Sequence, residues 1–451
     1  MAQEPIKHVT EGTRQIPVCC EAEVLVLGGG PAGHSAAVSA ARSGAKTVLV
    51  ERYGHFGGMA TGGLVTMIHA ISDGTPNRII TGNVQDWFDS LIKWNAIDVV
   101  DVNEIGKEGP DSRGLFGGMF FRSEGKLLYG ARTDAEVLKA TLNDMIVESG
   151  ATIYMHTQAT DPIMEGNAIK GVFIESKSGR EAILADRVID ATGDGDIMAR
   201  AGCSWTSTLG ASNRIANPAL CIEFANVDWA KNEAYKAANP DAYAALMQEL
   251  AALDGFTMHF KTIVSRGDVC HFNMFLKGYD VTKKEDLTRI EVDVRRRMMV
   301  TYEFFKSRVP GFDECYIMTT APQIGLRGSR IINAEFEVTE AVAVSGEKFE
   351  DTVCEFPPLR GNYPENPHVF IPYRSLLPKE VENLMVAGRM FCSDEVVNEH
   401  FNTISHCIAM GQAIGCAAAM SAKNGKSFRA LDMAALREML IKDGLSFPSF
   451  A

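Results

Sequence analysis

The apolar stretch Glu23-Val24-Leu25-Val26-Leu27 runs directly into Gly28-Gly29-Gly30-Pro31-Ala32-Gly33, and this junction constrains the chain more than any other feature. A strand that breaks into G-x-G-x-x-G and then a small-residue helix is the layout of a dinucleotide site. Gly28 permits the tight turn, Gly30 lets the backbone approach a pyrophosphate, and Gly33 lets the helix lie close to the sheet. Pro31 suits a first helical turn, and Ala32 keeps that turn slim. The helix N-terminus offers free N–H groups and its positive dipole end to the phosphates. A second strand, Lys46 to Val50, ends on Glu51, placed to accept hydrogen bonds from a ribose.

The next segment separates two kinds of dinucleotide. Beyond Glu51-Arg52 comes a second glycine-rich run, Gly57-Gly58-Met59-Ala60-Thr61-Gly62-Gly63, where a simple NAD domain would already have started its next helix. Such a run lets backbone amides line an extended cofactor. Far downstream, Arg187-Val188-Ile189-Asp190-Ala191-Thr192-Gly193-Asp194-Gly195-Asp196 reads as another buried strand breaking into a turn. Leu384-Met385-Val386-Ala387-Gly388-Arg389 repeats that pattern, followed by a long helix carrying Gly411-Gln412-Ala413-Ile414-Gly415.

On these motifs the chain resembles the FAD-dependent oxidoreductases of the glutathione-reductase-like flavoprotein superfamily. Five segments occur in order between residue 24 and about residue 420, with Ile414 the one departure in the helix motif. The resemblance implies an α/β fold: a Rossmann-like FAD-binding domain of glutathione-reductase type with an inserted α+β substrate domain. It implies that Ala159 meets adenine through its backbone, that Ala191, Gly193 and Asp196 lie near the cofactor, and that Gly388 and Arg389 do so on the facing turn. It also implies that the start of the last long helix, Asn402, Thr403 and Ile404, faces the flavin ring. FAD is expected to be non-covalent, with covalent linkage through His55 as the alternative.

Length points to two interleaved units, since 451 residues exceed one ordinary core. The FAD domain is expected over 20–204 and 376–425, with a small excursion at 67–128. The inserted substrate domain is expected over 205–375, including helices over 229–252 and 285–306, and a C-terminal helix and tail over 426–451. No second dinucleotide fold is legible; Gly325-Leu326-Arg327-Gly328 imitates one with the wrong spacing. Electrons can still come from NAD(P)H bound transiently at the flavin, and can pass to a redox partner protein or to a second substrate.

A net charge of −13 with 22% charged residues disfavours nucleic acid and anionic membrane surfaces as partners. No apolar run reads as a membrane span of roughly 20 residues, and Met1 to Cys20 has no apolar leader core, so a cytoplasmic protein is expected. None of the ten cysteines forms C-x-x-C. An iron–sulfur cluster is therefore not expected, nor is any metal site.

The chemistry-bearing candidates cluster just ahead of the last long helix. His400 is the preferred acid/base group, because an imidazole titrates near neutrality; His406 reads as a core histidine and His69 as a weaker substrate-site candidate. Asn402 can present the helix start to the flavin. Arg327 and Arg330, three residues apart around Ser329, can clamp a carboxylate or phosphate, or form interdomain salt bridges. These residues point to hydride transfer between flavin N5 and a small organic substrate. Dehydrogenation is preferred, with reduction of an activated double bond and an electron-transfer subunit as alternatives.

Overall fold

The computed structural model describes residues 8–450 except 110, 113–115, 117–120, 124, 263–265 and 360–365. Strand β1 (Val18–Leu27) is central in a seven-stranded sheet. It lies parallel to β2 (Thr47–Val50) on one side and to the strand Gly179–Asp190 on the other. That twelve-residue strand uses its far edge twice. Its first half forms an antiparallel hairpin with Ala168–Ser176, and its last residues pair in parallel with Leu384–Val386.

Register explains why the motifs converge. Leu27 stands opposite both Val50 and Asp190, and Asp190 stands opposite Val386. The four residues form one row at the carboxyl end of the sheet, so the turns that follow them share one edge. Ligands of open α/β sheets bind at this edge. Side chains alternate across the sheet as strand geometry requires. Val24, Val26, Leu49, Ile189 and Met385 enter the core on one face; Leu25, Leu27, Val48, Val188 and Leu384 enter the core on the other.

The first core is dominated by a close helix pair. Helix α1 (Pro31–Arg42) lies against the long helix Ile404–Asn424. A Cβ on Gly411 would stand 2.0 Å from the Ala32 carbonyl oxygen, and one on Gly415 would stand 2.2 Å from that of Ala36. The two backbones touch, so the glycines of this helix are packing residues. Gln412 beside them is fully buried and bonds the Asn83 N–H and Asp443, tying the helix Asn83–Ile92 and the C-terminal segment to the pair. By length and composition Ile404–Asn424 is the one described helix apolar enough to cross a membrane, an apolar run that the sequence reading did not single out. Its residues are almost all buried within the protein.

The inserted unit has its own core around an antiparallel sheet. His259–Thr262, Val269–Phe275, Ala219–Ala225 and Tyr316–Thr320 pair in that order, backed by the helix Lys284–Arg308. Two details differ from the sequence expectation. The helix expected over 229–252 is two, Trp229–Ala238 and Pro240–Ala252, because Pro240 cannot continue a helix but can open one. The hairpin Thr352–Phe356 with Val369–Pro372 falls inside 205–375, yet it packs into the first core beside the long helix.

Candidate active site

The turn after β1 is built around contacts only glycine tolerates. Gly28 has φ +94°, and a Cβ there would stand 2.5 Å from the Ala191 oxygen. A Cβ on Gly33 would meet the Gly28 oxygen at 1.7 Å, so Gly33 holds helix to turn without facing the cofactor. Gly30 is the opposite case: no atom lies within 4 Å of where its Cβ would be, and no side chain caps the helix it begins. Its open side leaves room for a phosphate against the backbone.

Glu51 ends β2 in the same groove. It is 7% exposed and accepts hydrogen bonds from the Gly29 N–H at 2.6 Å and the Tyr53 N–H at 2.8 Å. Burial pushes its carboxyl above the usual range, and those backbone donors pull it back. A third wall comes from the turn after Asp190. That buried carboxylate takes the N–H groups of Thr192, Ile197 and Met198. Asp194 in the same turn binds the Ser329 hydroxyl at 2.7 Å and Arg389 at 2.8 Å.

The resulting cavity, about 950 Å³, is lined by Gly28, Gly30, Pro31 and Ala32 from the first turn, and by Glu51 and Arg52 from the second strand. Gly58 and Met59 line it from the second glycine run, and Ala159, Ala191, Gly193 and Asp196 from the third wall. Gly388, Arg389, Asn402 and Ile404 complete it. Gly57, Ala60 and Thr61 stand behind this surface: the Gly57 N–H bonds the Gly29 carbonyl, and Thr61 bonds the Phe56 carbonyl. Sequence reasoning missed Tyr53, Gln158, Asp194, Gln323 and Cys407 in the lining. Of these only Asp194 sat in a motif that signalled it.

A second cavity of about 1020 Å³ adjoins the first and shares Met59, Leu326, Asn402 and Ile404 with it. Thr403 opens into this chamber, as do His69 and Arg327. Its roof is the inserted sheet, whose strands place Cys221, His271, Asn273 and Phe275 on the chamber side. Register puts Glu223 opposite His271, with 3.1 Å between Oε1 and Nδ1, both nearly fully buried. Burial alone lowers an imidazole, but Cys221 and Glu223 outweigh it here and push His271 up to about 10. For His69 burial, then Arg214, lowers the imidazole to about 4.

Three sequence assignments change. His400 lies in the last turn of a helix, Glu395–Phe401, exposed, with its Nδ1 2.9 Å from the Val396 carbonyl; it lines neither cavity. Replacing it by Asn is therefore expected to change turnover and FAD content by less than about twofold, as at ordinary surface positions. Arg330 is structural: it binds the Asp194 carbonyl and the Asp196 carboxylate and lies over the Trp205 ring. His55 stacks on Tyr53 and bonds Phe56 and Thr61, outside both cavities, which removes the geometric basis for covalent linkage there. His406 is the core histidine expected, enclosed by Phe356 and Phe401 with Thr403 Oγ1 2.6 Å from Nδ1. Among the described residues no group of three His, Cys, Asp or Glu side chains is arranged to hold a metal.

The sequence pattern of the family described as FAD dependent oxidoreductase matches residues 23–440. The chain belongs to the FAD dependent oxidoreductase family. It is an oxidoreductase, with FAD as its cofactor. It is 29% identical over 188 residues to a fumarate reductase (cytochrome) of Shewanella frigidimarina, covering 38% of this chain and 33% of that protein. It is also 29% identical over 185 residues to a digeranylgeranylglycerophospholipid reductase of Methanoculleus marisnigri, covering 40% of this chain and 41% of the relative. The chain thus matches only a third to two fifths of the length of these curated relatives. A geranylgeranyl bacteriochlorophyll reductase-like structure from Thermoplasma acidophilum superposes with a TM-score of 0.47 at 15% identity, covering 94% of this chain and 83% of the other.

The chain's own atoms suit FAD. Beside the open Gly30 turn and the Glu51 carboxylate, the groove holds three buried polar atoms without hydrogen-bond partners: Arg389 Nε, Asn402 Nδ2 and Gln323 Oε1. Two donors and one acceptor complement the polar edge of an isoalloxazine ring, and buried polar atoms rarely stay unpaired. Glu51→Ala is expected to weaken FAD binding roughly tenfold or more, because a hydrogen bond to a charged acceptor contributes about 1.5–3 kcal/mol. Fluorescence titration of the apoprotein with FAD measures this; unchanged affinity would show the ribose acid to be misassigned.

Proposed function

We propose that this oxidoreductase, with a glutathione-reductase-type FAD domain, transfers hydride between flavin N5 and a small organic substrate held in the chamber under the inserted sheet. The direction that fits best is reduction of an activated double bond, the alternative to the dehydrogenation preferred from the sequence. The observation that carries the reading is the chamber wall shared by the two cavities, Met59, Leu326, Asn402 and Ile404. A molecule in the chamber lies against whatever fills the cofactor groove at that end.

Bound FAD supplies the two-electron chemistry. The protein supplies the proton: His271, raised by Cys221 and by its buried pair with Glu223, is a donor at neutral pH. Oxidation of an alcohol or amine needs a group that takes a proton, and a charged imidazole cannot serve. Reduction needs a proton for the second carbon of the double bond, and His271 can give one. The names of the two reductase relatives agree with this direction. The inserted sheet also shields the chamber, which strengthens every electrostatic contact inside it.

The test is anaerobic. Photoreduced holoenzyme is mixed with a panel of activated alkenes, and oxidised holoenzyme with alcohols and amines. Reoxidation by an alkene is the expected result. Bleaching by an alcohol or amine alone would reverse the direction, and response only to a redox protein would make the chain an electron-transfer subunit.

A further inference from the structure

The chamber combines one charge sign with a largely apolar wall. Among the described residues, no aspartate or glutamate lines it, while two guanidiniums do, those of Arg214 and Arg327. Arg214 is half exposed at the edge and already paired with Glu399 at 2.6 Å. Arg327 is different. Its Nη1 donates to the Asn217 carbonyl at 3.2 Å, and its guanidinium lies 4.3 Å over the Phe275 ring. Among the described residues no carboxylate is within ion-pairing distance of it. Burial, with Arg214 nearby, lowers Arg327 to about 10, still charged at neutral pH.

Arg327 is only part-buried, but a charge partly withdrawn from water without a counter-ion is still costly, and a ligand that completes the pair offsets that cost. A planar guanidinium with a free edge matches a carboxylate in a two-point bond. Much of the remaining wall, Val65, Met67, Met258, Phe260 and Phe275, offers contact area to a hydrocarbon body, with Thr66, Asn273 and Thr403 as polar side chains among it. Methionines in such walls adapt to varied shapes.

We propose that the chamber takes a monocarboxylate with an apolar body, its carboxylate seated on Arg327. The inference rests on the chamber being the substrate site. An α,β-unsaturated acid fulfils both requirements: the carboxylate binds Arg327 and activates the adjacent double bond. Reduced FAD would supply hydride to one carbon and His271 would give the proton to the other, leaving a saturated acid and a neutral imidazole that regains its proton from water.

The experiment uses FAD-loaded protein and unreactive probes: hexanoate, hexanamide, 1-hexanol and hexylamine, each followed by flavin difference absorbance and by calorimetry. Hexanoate is expected to bind at least tenfold more tightly than the other three. Arg327→Ala should erase that advantage while leaving hexanamide binding and FAD content unchanged, and Arg327→Lys should restore part of it. Equal binding of acid, amide and alcohol to the unaltered protein would overturn the proposal, whether or not the variants fold. If neutral enones reoxidise the reduced flavin while hexanoate does not bind, the carboxylate is wrong and the reductase reading stands. If hexanoate binds through Arg327 but no alkene is reduced, the reductase reading fails and the anion site stands.

Discussion

His271→Asn is expected to lower the rate of flavin reoxidation by a productive alkene roughly 10²–10⁴-fold, the span associated with loss of a general acid. FAD content should be unchanged, because His271 lies in the inserted sheet, outside the cofactor groove. Glu223→Gln tests the same pair from its other end. In the native chain Cys221 and Glu223 are the groups that push the imidazole up against burial. Native activity should therefore persist through neutrality and fall as pH rises through about 10. In the Gln variant only Cys221 still opposes burial, so activity should begin to fall at a lower pH than in the native chain. Stability follows the same sign: the folded value exceeds that of free imidazole, so the pair's contribution is complete below about pH 6.5 and is lost as pH rises through the folded value. A native rate that survives His271→Asn, or a Gln variant with the native pH profile, contradicts the assignment.

The second large effect concerns packing. Gly411→Val should separate α1 from the long helix, because the added Cβ begins 2.0 Å from a backbone oxygen that cannot move alone. Overpacking of a core costs about 1–3 kcal/mol and more when backbone must shift. Here Ala32, the residue pressed, also lines the cofactor groove. Loss of bound FAD and a lower Tm are expected together. A variant that keeps both its FAD and its Tm would show that the helix contact is looser than described.

These cases show what could be read from residues alone. The cofactor turns were legible because glycine and acidic residues there answer local backbone needs: φ +94° at Gly28, a strand-ending acid at Glu51. Their convergence was not. It comes from the register that sets Val50, Leu27, Asp190 and Val386 in a row. The proposed proton donor differs from the sequence candidate for a related reason. His400 stands in a polar run next to a motif, but a short helix turns it outward. His271 carried a quieter signal, the alternation of Val269–Phe275 that puts His271, Asn273 and Phe275 on one face. Only pairing with Ala219–Ala225 brings Glu223 against it. Arg327 and Arg330 look equivalent in sequence, yet one reaches the chamber and the other pins the Asp194 turn.

The central claim is that the groove and the chamber meet at the flavin ring. A crystal structure of the FAD-loaded protein tests it most directly. The account predicts density for the isoalloxazine ring against Met59, Leu326, Asn402 and Ile404, with one face open to the chamber beneath His271 and Arg327. A ring turned away from these four residues, or a chamber walled off from it by protein, would contradict the account.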